Sequence, residues 1–216
     1  MNRVIAGTYP AASCFKAFTS LAGLTYGFAD TSRVWDCQGT WTGFGDSFPQ
    51  KCWQKSGHGL LGLREGIVVS CDVVFYEIAK SFYDARASIG DEAMQDFVKE
   101  FGYSAATKID LSGESEGRIP TPAWKKEYFK DVPEEAQWLP GVIGQGYVLV
   151  TPIQVVRAYG AVATGKLLRP HLLKEARNSL GDTVLSYDTV EDTAPQVTEA
   201  NLKIVRDALH GVATEN

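Results

Sequence analysis

A serine and a lysine lie three residues apart near the start of the chain, at Ser13 and Lys16. On a helix this spacing places both side chains on one face, one turn apart. A serine hydroxyl becomes a nucleophile when a base takes its proton, and lysine serves as that base when its neutral amine is favoured. A second serine, in Ser70-Cys71-Asp72, can pass the proton from the base to a leaving group. These residue types indicate acyl transfer, although Ser-x-x-Lys alone is more typical of a helix-capping serine and a solvated lysine.

A second set of residues has the composition of a metal site. Cys37, Cys52, His58 and Cys71 follow the spacing C-x₁₄-C-x₅-H-x₁₂-C. Three thiolates and one imidazole form a common closed tetrahedral zinc site, although the usual C-x₂-C pair is missing. The alternative is a disulfide between Cys37 and Cys52 in an oxidising compartment, with His58 as a structural histidine. We favour zinc because the disulfide leaves His58 and Cys71 without a role.

Composition limits the classes of function. The chain has 216 residues, 44% of them hydrophobic and 22% charged, which is ordinary for a globular protein with a sizeable core. A net charge of −5 makes nucleic acid an unfavourable partner. The apolar runs, such as residues 67–69, are too short for a membrane span, and no signal peptide opens the sequence. We therefore expect any anchoring or export segment to lie outside this sequence.

Periodicity and capping residues predict the elements that position these side chains. Residues 13–24 are predicted to form a buried helix with Ser13 at its N-terminal end, where unpaired backbone N–H groups can stabilise an oxyanion. Residues 27–62 are predicted to be an ordered loop with short pieces of structure. Further helices are expected to begin at an Asp72 cap, at Asp91, near Trp124, at Thr151-Pro152 and at Thr198, and two strands are expected at 172–176 and 183–187. This order of elements predicts an α+β fold.

Other short motifs follow in a specific order. They are Tyr9-Pro10, Gly57-His58-Gly59, Phe75-Tyr76, Phe101-Gly102-Tyr103, Ile109-Asp110-Leu111 with Glu114, Gly117-Arg118-Ile119-Pro120, Ile143-Gly144-Gln145-Gly146-Tyr147 and Thr151-Pro152-Ile153-Gln154. Together with Ser13-x-x-Lys16 and Ser70-Cys71-Asp72, the set resembles the transpeptidase domain of class B penicillin-binding proteins, of the penicillin-binding protein 2 type that acts in cell elongation. The resemblance covers nearly the whole chain, at least Asn2 to His171.

The resemblance implies a role for each residue of the first set. Ser13 would be the nucleophile that a peptidoglycan stem peptide ending in D-alanyl-D-alanine acylates, and Lys16 the general base. Ser70 would relay the proton to the leaving D-alanine. Asp72, where many relatives carry Asn, would orient Lys16 and the substrate amide. β-Lactam antibiotics would mimic the donor peptide and trap Ser13.

The resemblance also implies a cofactor, partners and a location. Some relatives carry zinc at positions similar to Cys37, Cys52, His58 and Cys71, with aspartates replacing some of the cysteines. The implied location is the periplasmic face of the bacterial cytoplasmic membrane, with an anchoring N-terminal helix absent from this chain. Elongation-complex membrane proteins are the implied partners, through regions not present here.

Three departures from the family pattern concern activity. The third motif, Lys-Thr/Ser-Gly on an edge strand, is missing after Ser70, and Lys55-Ser56-Gly57 lies too early to replace it. The strands that precede the nucleophile helix are also absent, and the stretch at 141–144 is short. We therefore expect residues 1–216 to form a partial transpeptidase domain, the helix-rich part of the serine acyl-enzyme fold. Because the missing strand supplies an oxyanion donor, which is worth about 10²–10³ in rate in other enzymes, this chain alone should be weakly active or inactive.

Two alternatives to transpeptidation remain open. A D,D-carboxypeptidase or β-lactamase would use water in place of the acceptor amine, although the sequence has no E-x-x-L-N signature for a water-activating base. A non-catalytic, zinc-clamped scaffold of the elongation machinery is the alternative from another class.

Several further residues have simpler expected roles. Cys14 is predicted to be a small packed residue, with a competing reactive thiol as the alternative. Lys125, Lys126 and Lys130 are predicted to form a solvated helix face. The five tryptophans are predicted to fill a loop-rich core more than to line a groove, and three arginines are predicted to form structural ion pairs. The tryptophans are at 35, 41, 53, 124 and 138, and the arginines are Arg64, Arg157 and Arg169.

Overall fold

A computed structural model describes residues 2–128 and 139–215 of the chain. Helices and short strands occur in separate runs along these ranges, as expected for the predicted α+β fold. The helices are α1 Arg3–Ala6, α2 Lys16–Thr25, α3 Leu63–Val68, α4 Asp72–Ile89, α5 Ala93–Lys99, α6 Pro122–Tyr128, α7 Pro152–Thr164 and α8 Glu199–Thr214. The strands are β1 Val34–Cys37, β2 Thr40–Trp41, β3 Gln50–Lys51, β4 Gly59–Gly62, β5 Glu175–Arg177 and β6 Thr183–Ser186. Among the described residues, no helix has the length and apolarity needed to cross a membrane.

The start of the helix at residues 13–24 differs from the prediction of one continuous α-helix from Ser13. Residues Ala12–Phe15 form a 3₁₀ turn, and α2 follows directly from it. Ser13 therefore lies inside a tight turn and does not cap an α-helix. The turn leaves Ala12 with a φ of 50°, a left-handed conformation that is unfavourable for a residue with a Cβ.

The helix α2 lies at the centre of the core. Its residues from Lys16 to Gly23 are all buried, and it packs against α4, α5 and α8. Phe18 contacts the rings of Phe101, Tyr103 and Tyr159, with centroids 5.1–5.5 Å apart. Because a helix surrounded by apolar neighbours has little freedom to shift, this packing sets the position of Lys16 at its first residue.

The start of α4 also differs from the prediction. Cys71 occupies the N-cap position without a side-chain capping bond, and Asp72 is the first helical residue. The predicted cap at Asp72 is wrong because its carboxylate is bound elsewhere, by the Lys16 ammonium. A long-range ion pair has therefore replaced a local cap.

The helices α7 and α8 begin as predicted. Thr151 and Gln154 form a reciprocal capping box at the start of α7, and Pro152 is its first residue. Thr198 caps α8 by accepting a hydrogen bond from the Asn201 amide. This helix was expected to end before Gly211 but continues to Thr214. Gly211 serves a close approach to α3, since a Cβ there would lie 2.8 Å from Val68 Cγ2.

The described strands form three two-stranded antiparallel sheets. β1 pairs with β4, in a register that joins Val34 to Gly62 and Cys37 to Gly59. β2 pairs with β3, so the stretch 27–62 is the predicted ordered loop with short pieces. β5 pairs with β6 as predicted, although both strands are shorter than expected.

The helix α6 places a lysine in the interior. Lys125 was predicted to be exposed, but only 5% of it is accessible, and it lines a small cavity with Met94 and Gln95. This prediction is wrong because α6 turns that side chain towards α5. Desolvation lowers the pKa of Lys125 to about 8. Lys126 is exposed as predicted, whereas Lys130, Trp138 and the predicted helix beyond residue 128 lie outside the described residues.

Candidate active site

Four side chains of the two serine motifs form one connected set of hydrogen bonds. The Ser70 hydroxyl lies 2.9 Å from Ser13 Oγ, and the Lys16 ammonium donates to Ser70 Oγ at 3.0 Å. Lys16 also donates to Asp72 Oδ1 at 2.6 Å. The structure therefore brings together all four residues predicted from the sequence, and Ser70 lies between Lys16 and Ser13.

The amine of Lys16 is held on several sides. Only 4% of its side chain is exposed, and its third hydrogen bond goes to the Ser70 carbonyl at 2.8 Å. The Phe75 ring lies 5.3 Å from Nζ, a distance typical of a cation–π contact. Because the charged amine has three oxygen acceptors, its burial is compensated.

The backbone is strained at Ser70 and at the residue before Ser13. Ser70 has a φ of 54°, and Ala12, directly before Ser13, has a φ of 50°. A left-handed residue with a Cβ costs roughly 1–2 kcal/mol, so the surrounding structure must hold these turns. The Ala12 amide donates to the Gly144 carbonyl at 2.8 Å, and the Ser70 amide donates to the Ile67 carbonyl at 3.1 Å. Such strain is common where a fold aims a reactive side chain.

The two hydroxyls face an open groove. The groove has a volume of about 550 Å³, within the range of ligand sites, and its walls are mainly apolar. Its wall residues include Ser13, Cys14, Trp53, His58, Ser70 and Tyr159. Lys16 also lines this groove, so a substrate in it can reach Ser13 beside the lysine.

Cys37, Cys52, His58 and Cys71 also come together. Their ligand atoms all lie within 4.8 Å of one another, and His58 Nδ1 is 3.6 Å from the sulfurs of both Cys37 and Cys52. A tetrahedral zinc with Zn–S of about 2.3 Å and Zn–N of about 2.05 Å places sulfur and nitrogen about 3.6 Å apart. The four residues therefore fit zinc, and all four cysteines of the chain are free thiols, with no Cys37–Cys52 disulfide.

The protonation chemistry of this set agrees with metal binding. Burial raises the pKa of the Cys71 thiol to about 12, so that sulfur ionises readily only beside a cation. Burial also lowers the pKa of His58, which favours the neutral imidazole that binds metals. Cys71 and His58 are thus in environments that a zinc ion would complement.

Two glycines allow the cysteine loop to close. A Cβ on Gly39 would lie 2.1 Å from the Lys55 carbonyl oxygen, and one on Gly57 would lie 2.1 Å from the Cys37 carbonyl oxygen. Both glycines also have positive φ. Lys55-Ser56-Gly57 belongs to this tight turn rather than to an edge strand, as its early position in the sequence indicated.

Other predictions had mixed outcomes. Cys14 was predicted to be packed, but it is exposed because the 3₁₀ turn directs it to the groove. Trp35 and Trp41 fill the core as predicted, whereas Trp53 is 60% exposed. The three arginines form ion pairs as predicted, Arg64 with Glu215 and both Arg157 and Arg169 with Asp192.

Two residues make contacts beside the site that the sequence did not predict. Tyr159 donates its hydroxyl to the Cys14 carbonyl at 2.9 Å and so supports the turn that carries Ser13. Trp53 contacts the turn that carries Ser70. The less favoured groove interpretation of the tryptophans applies to Trp53, which lines the groove, but its contact with the Ser70 turn was not predicted.

Comparisons with known proteins agree with this geometry. The family described as "Penicillin binding protein transpeptidase domain" matches residues 1–216. Peptidoglycan D,D-transpeptidase MrdA of Salmonella typhimurium strain SL1344 is 33% identical over 217 residues, which is 99% of this chain and 33% of that protein. The MrdA of Escherichia coli K12 is 30% identical over 214 residues, 99% of this chain and 32% of that protein. The chain thus spans about a third of the length of these curated relatives.

Solved structures share the fold. The crystal structure of Pseudomonas aeruginosa penicillin-binding protein 2 in complex with WCK 5153 has a TM-score of 0.79 and 27% identity, covering 99% of this chain and 49% of that one. Penicillin-binding protein 2 of Helicobacter pylori, in its complex with MreC, has a TM-score of 0.77 and 27% identity, covering 98% of this chain and 36% of that one. The chain belongs to the penicillin-binding protein transpeptidase domain family, in the branch that contains MrdA and penicillin-binding protein 2.

Proposed function

We propose that this chain carries the acyl-transfer centre of a peptidoglycan D,D-transpeptidase. The observation behind the proposal is the unbroken series of hydrogen bonds from Asp72 through Lys16 and Ser70 to Ser13, which ends at a groove of about 550 Å³. The relatives named peptidoglycan D,D-transpeptidase support the same activity. Ser13 is the nucleophile, Lys16 the base, Ser70 the relay and Asp72 the residue that orients Lys16.

The geometry suggests the route of the proton. When Lys16 is neutral, the hydroxyl hydrogens reverse, so that Ser13 donates to Ser70 and Ser70 donates to Lys16. Ser13 Oγ then forms a C–O bond to the carbonyl carbon of the penultimate D-alanine, and the C–N bond to the terminal D-alanine breaks. The proton returns through Ser70 to the leaving amine. The amine of a second stem peptide then attacks the ester and loses a proton to Ser70. The new C–N bond forms as the C–O bond to Ser13 breaks, and Ser13 Oγ regains a proton.

We propose one structural zinc at Cys37, Cys52, His58 and Cys71. The support is the distances between the ligand atoms and the burial of the three sulfurs. Zinc would join the loop at 34–62 to the turn that carries Ser70 and Asp72, because Cys71 lies between those two residues. Metal analysis should find about one zinc per chain. Two oxidised cysteines and no metal would contradict the site.

We also propose stem peptides and β-lactams as ligands, and elongation-complex proteins as partners at the periplasmic face of the membrane. The support for ligands is the serine centre, and the support for partners is the structure of a related penicillin-binding protein 2 with MreC. The net charge of −5 agrees with the absence of a nucleic-acid role.

Labelling with fluorescent penicillin tests the activity. Because the chain spans a third of its relatives, labelling is measured on the chain and on a polypeptide extended through a Lys-Thr/Ser-Gly motif. Stable labelling that Ser13→Ala abolishes and Cys14→Ser preserves supports the transpeptidase. Rapid loss of the label indicates a β-lactamase. No label on the folded, extended polypeptide contradicts the proposed enzyme and favours the scaffold.

A further inference from the structure

Trp53 joins the cysteine loop to the catalytic turn. It directly follows Cys52, and its indole Nε1 donates to the carbonyls of Val69 and Ser70 at 3.0 and 3.1 Å. Its backbone N–H donates to Asp72 Oδ2 at 3.1 Å. One residue therefore contacts both sides of the turn in which Ser70 and Asp72 lie.

These hydrogen bonds converge on the same groups that hold the lysine. The Ser70 carbonyl accepts from Lys16 Nζ as well as from the Trp53 indole. The Asp72 carboxylate accepts from Lys16 through Oδ1 and from Trp53 through Oδ2. Because Ser70 has a strained φ of 54°, its turn needs such external support.

The exposure of Trp53 argues against a role in core packing alone. The residue is 60% exposed, whereas Trp35 and Trp41 are 6% and 4% exposed. A tryptophan that only stabilised the loop would gain most by burying its ring. Here the indole N–H is used for the catalytic turn, while the ring forms part of the wall of the groove beside Ser13.

We propose that Trp53 is a positioning residue for acyl transfer at Ser13, an inference that rests on the proposed function. Its two N–H groups hold the Ser70 carbonyl and the Asp72 carboxylate in place, and these in turn hold Lys16. The loss of the indole N–H should therefore slow the chemical step. Noncovalent binding of penicillin should stay nearly unchanged if a phenyl ring replaces the indole in the wall of the groove.

The variant Trp53→Phe tests this separation in the extended polypeptide. Since a neutral hydrogen bond contributes about 0.5–1.5 kcal/mol, the acylation rate constant for penicillin should fall about 3- to 10-fold. The dissociation constant of the noncovalent complex should stay within about twofold, and zinc content should not change. Trp41→Phe is the matched control, because it also loses an indole hydrogen bond, to Glu77 at 2.6 Å, but away from the groove. A wild-type acylation rate in Trp53→Phe, or an equal loss in Trp41→Phe, would overturn the proposal.

Hydrogen exchange tests the same inference without activity. In the chain itself, the Trp53 indole N–H should exchange more slowly than expected for a ring that is so exposed. The exchange is followed by ¹⁵N NMR, and the indole signal is assigned by its absence from Trp53→Phe. In that variant the backbone amides of residues 69–72 should exchange faster, and in Trp41→Phe they should not. If penicillin fails to label the wild type while these protections are present, the proposed function falls and the positioning geometry stands. An indole that exchanges as fast as free tryptophan would refute the positioning role.

Discussion

The Lys16 ammonium lies 2.6 Å from Asp72 Oδ1, and both side chains are largely buried, at 4% and 13% exposure. A buried ion pair contributes little net stability relative to apolar residues, but removing one partner leaves the other charge uncompensated. The pair therefore acts mainly to orient the amine towards Ser70.

Substitution of Asp72 should separate charge from hydrogen bonding. Asp72→Ala should lower the free energy of unfolding by about 3–5 kcal/mol, because it leaves the Lys16 charge buried without its carboxylate. Asp72→Asn should cost less, since its amide oxygen can still accept from Lys16. Urea unfolding measures the free energy of unfolding of both variants. Asp84→Ala, which breaks the exposed Lys80–Asp84 pair, should cost at most about 1 kcal/mol. Equal losses in Asp72→Ala and Asp84→Ala would contradict the burial argument.

Ser70→Ala should break the proton relay. Lys16 reaches Ser13 through Ser70, and positioned proton transfer contributes about 10²–10⁴ in rate. We expect acylation by penicillin in the extended polypeptide to slow by a factor in that range, with zinc content unchanged. Ser81→Ala, which loses only a bond to the Glu77 carbonyl, should react normally. Unimpaired acylation of Ser70→Ala would show that another group moves the proton.

Cys37, Cys52 and Cys71 should bind zinc, whereas Cys14 should not. Cys52→Ser should reduce bound zinc well below one per chain and lower the thermal midpoint by about 5 °C or more, which is about 2 kcal/mol for a chain of this size. Cys14→Ser should keep both values, because Cys14 lies on the groove and outside the ligand set. The measurements are metal analysis and thermal unfolding. Identical zinc contents in the two variants would refute the ligand assignment.

Lys125 should make stability rise with pH on the alkaline side. Its pKa is lowered from 10.5 to about 8 in the folded protein, so between these values the unfolded chain binds more protons. The free energy of unfolding then increases with pH, by at most about 1.4 kcal/mol per unit from this group. Lys125→Met should remove this rise in urea unfolding between about pH 8 and 10. Lys126→Met is the control, because Lys126 is the exposed neighbour of Lys125, and this variant should retain the rise in stability with pH. A Lys125→Met curve parallel to that of the wild type would rule out this burial effect.

Asp192 should be a structural anchor. Its carboxylate accepts hydrogen bonds from both Arg157, whose side chain is 5% exposed, and Arg169. Asp192→Ala should destabilise the fold by about 3 kcal/mol or more, because it leaves a buried guanidinium unpaired. The hydrogen bond from Arg169 lowers the pKa of Asp192, so this contribution is present above the unfolded pKa and is lost as pH falls through the folded one. Glu191→Ala, which breaks the exposed pair with Lys166, should cost at most about 1 kcal/mol, and a similar cost for Asp192→Ala would contradict the anchor.

The sequence by itself determined the features that depend on local chemistry. The ordered motifs identified the family, and the Thr151 cap followed by Pro152 predicted α7, because a cap acts within one helical turn. The type and number of possible metal ligands also indicated the set at Cys37, Cys52, His58 and Cys71. The short strands and the α+β character followed from the same local patterns.

Only the tertiary structure decided how the distant segments meet. Ser13 and Ser70 are 57 residues apart, and Lys16 and Asp72 are 56 apart, yet each pair is in hydrogen-bond contact. Burial of Lys125 and exposure of Cys14 reversed the sequence-based predictions, because the packing around each backbone turn decides which way a side chain faces. The positioning role of Trp53 could not be predicted from the sequence for the same reason, since its hydrogen-bond acceptors lie 16 to 19 residues away in the chain. Such contacts depend on the free energy of the whole packed core, which no local pattern records.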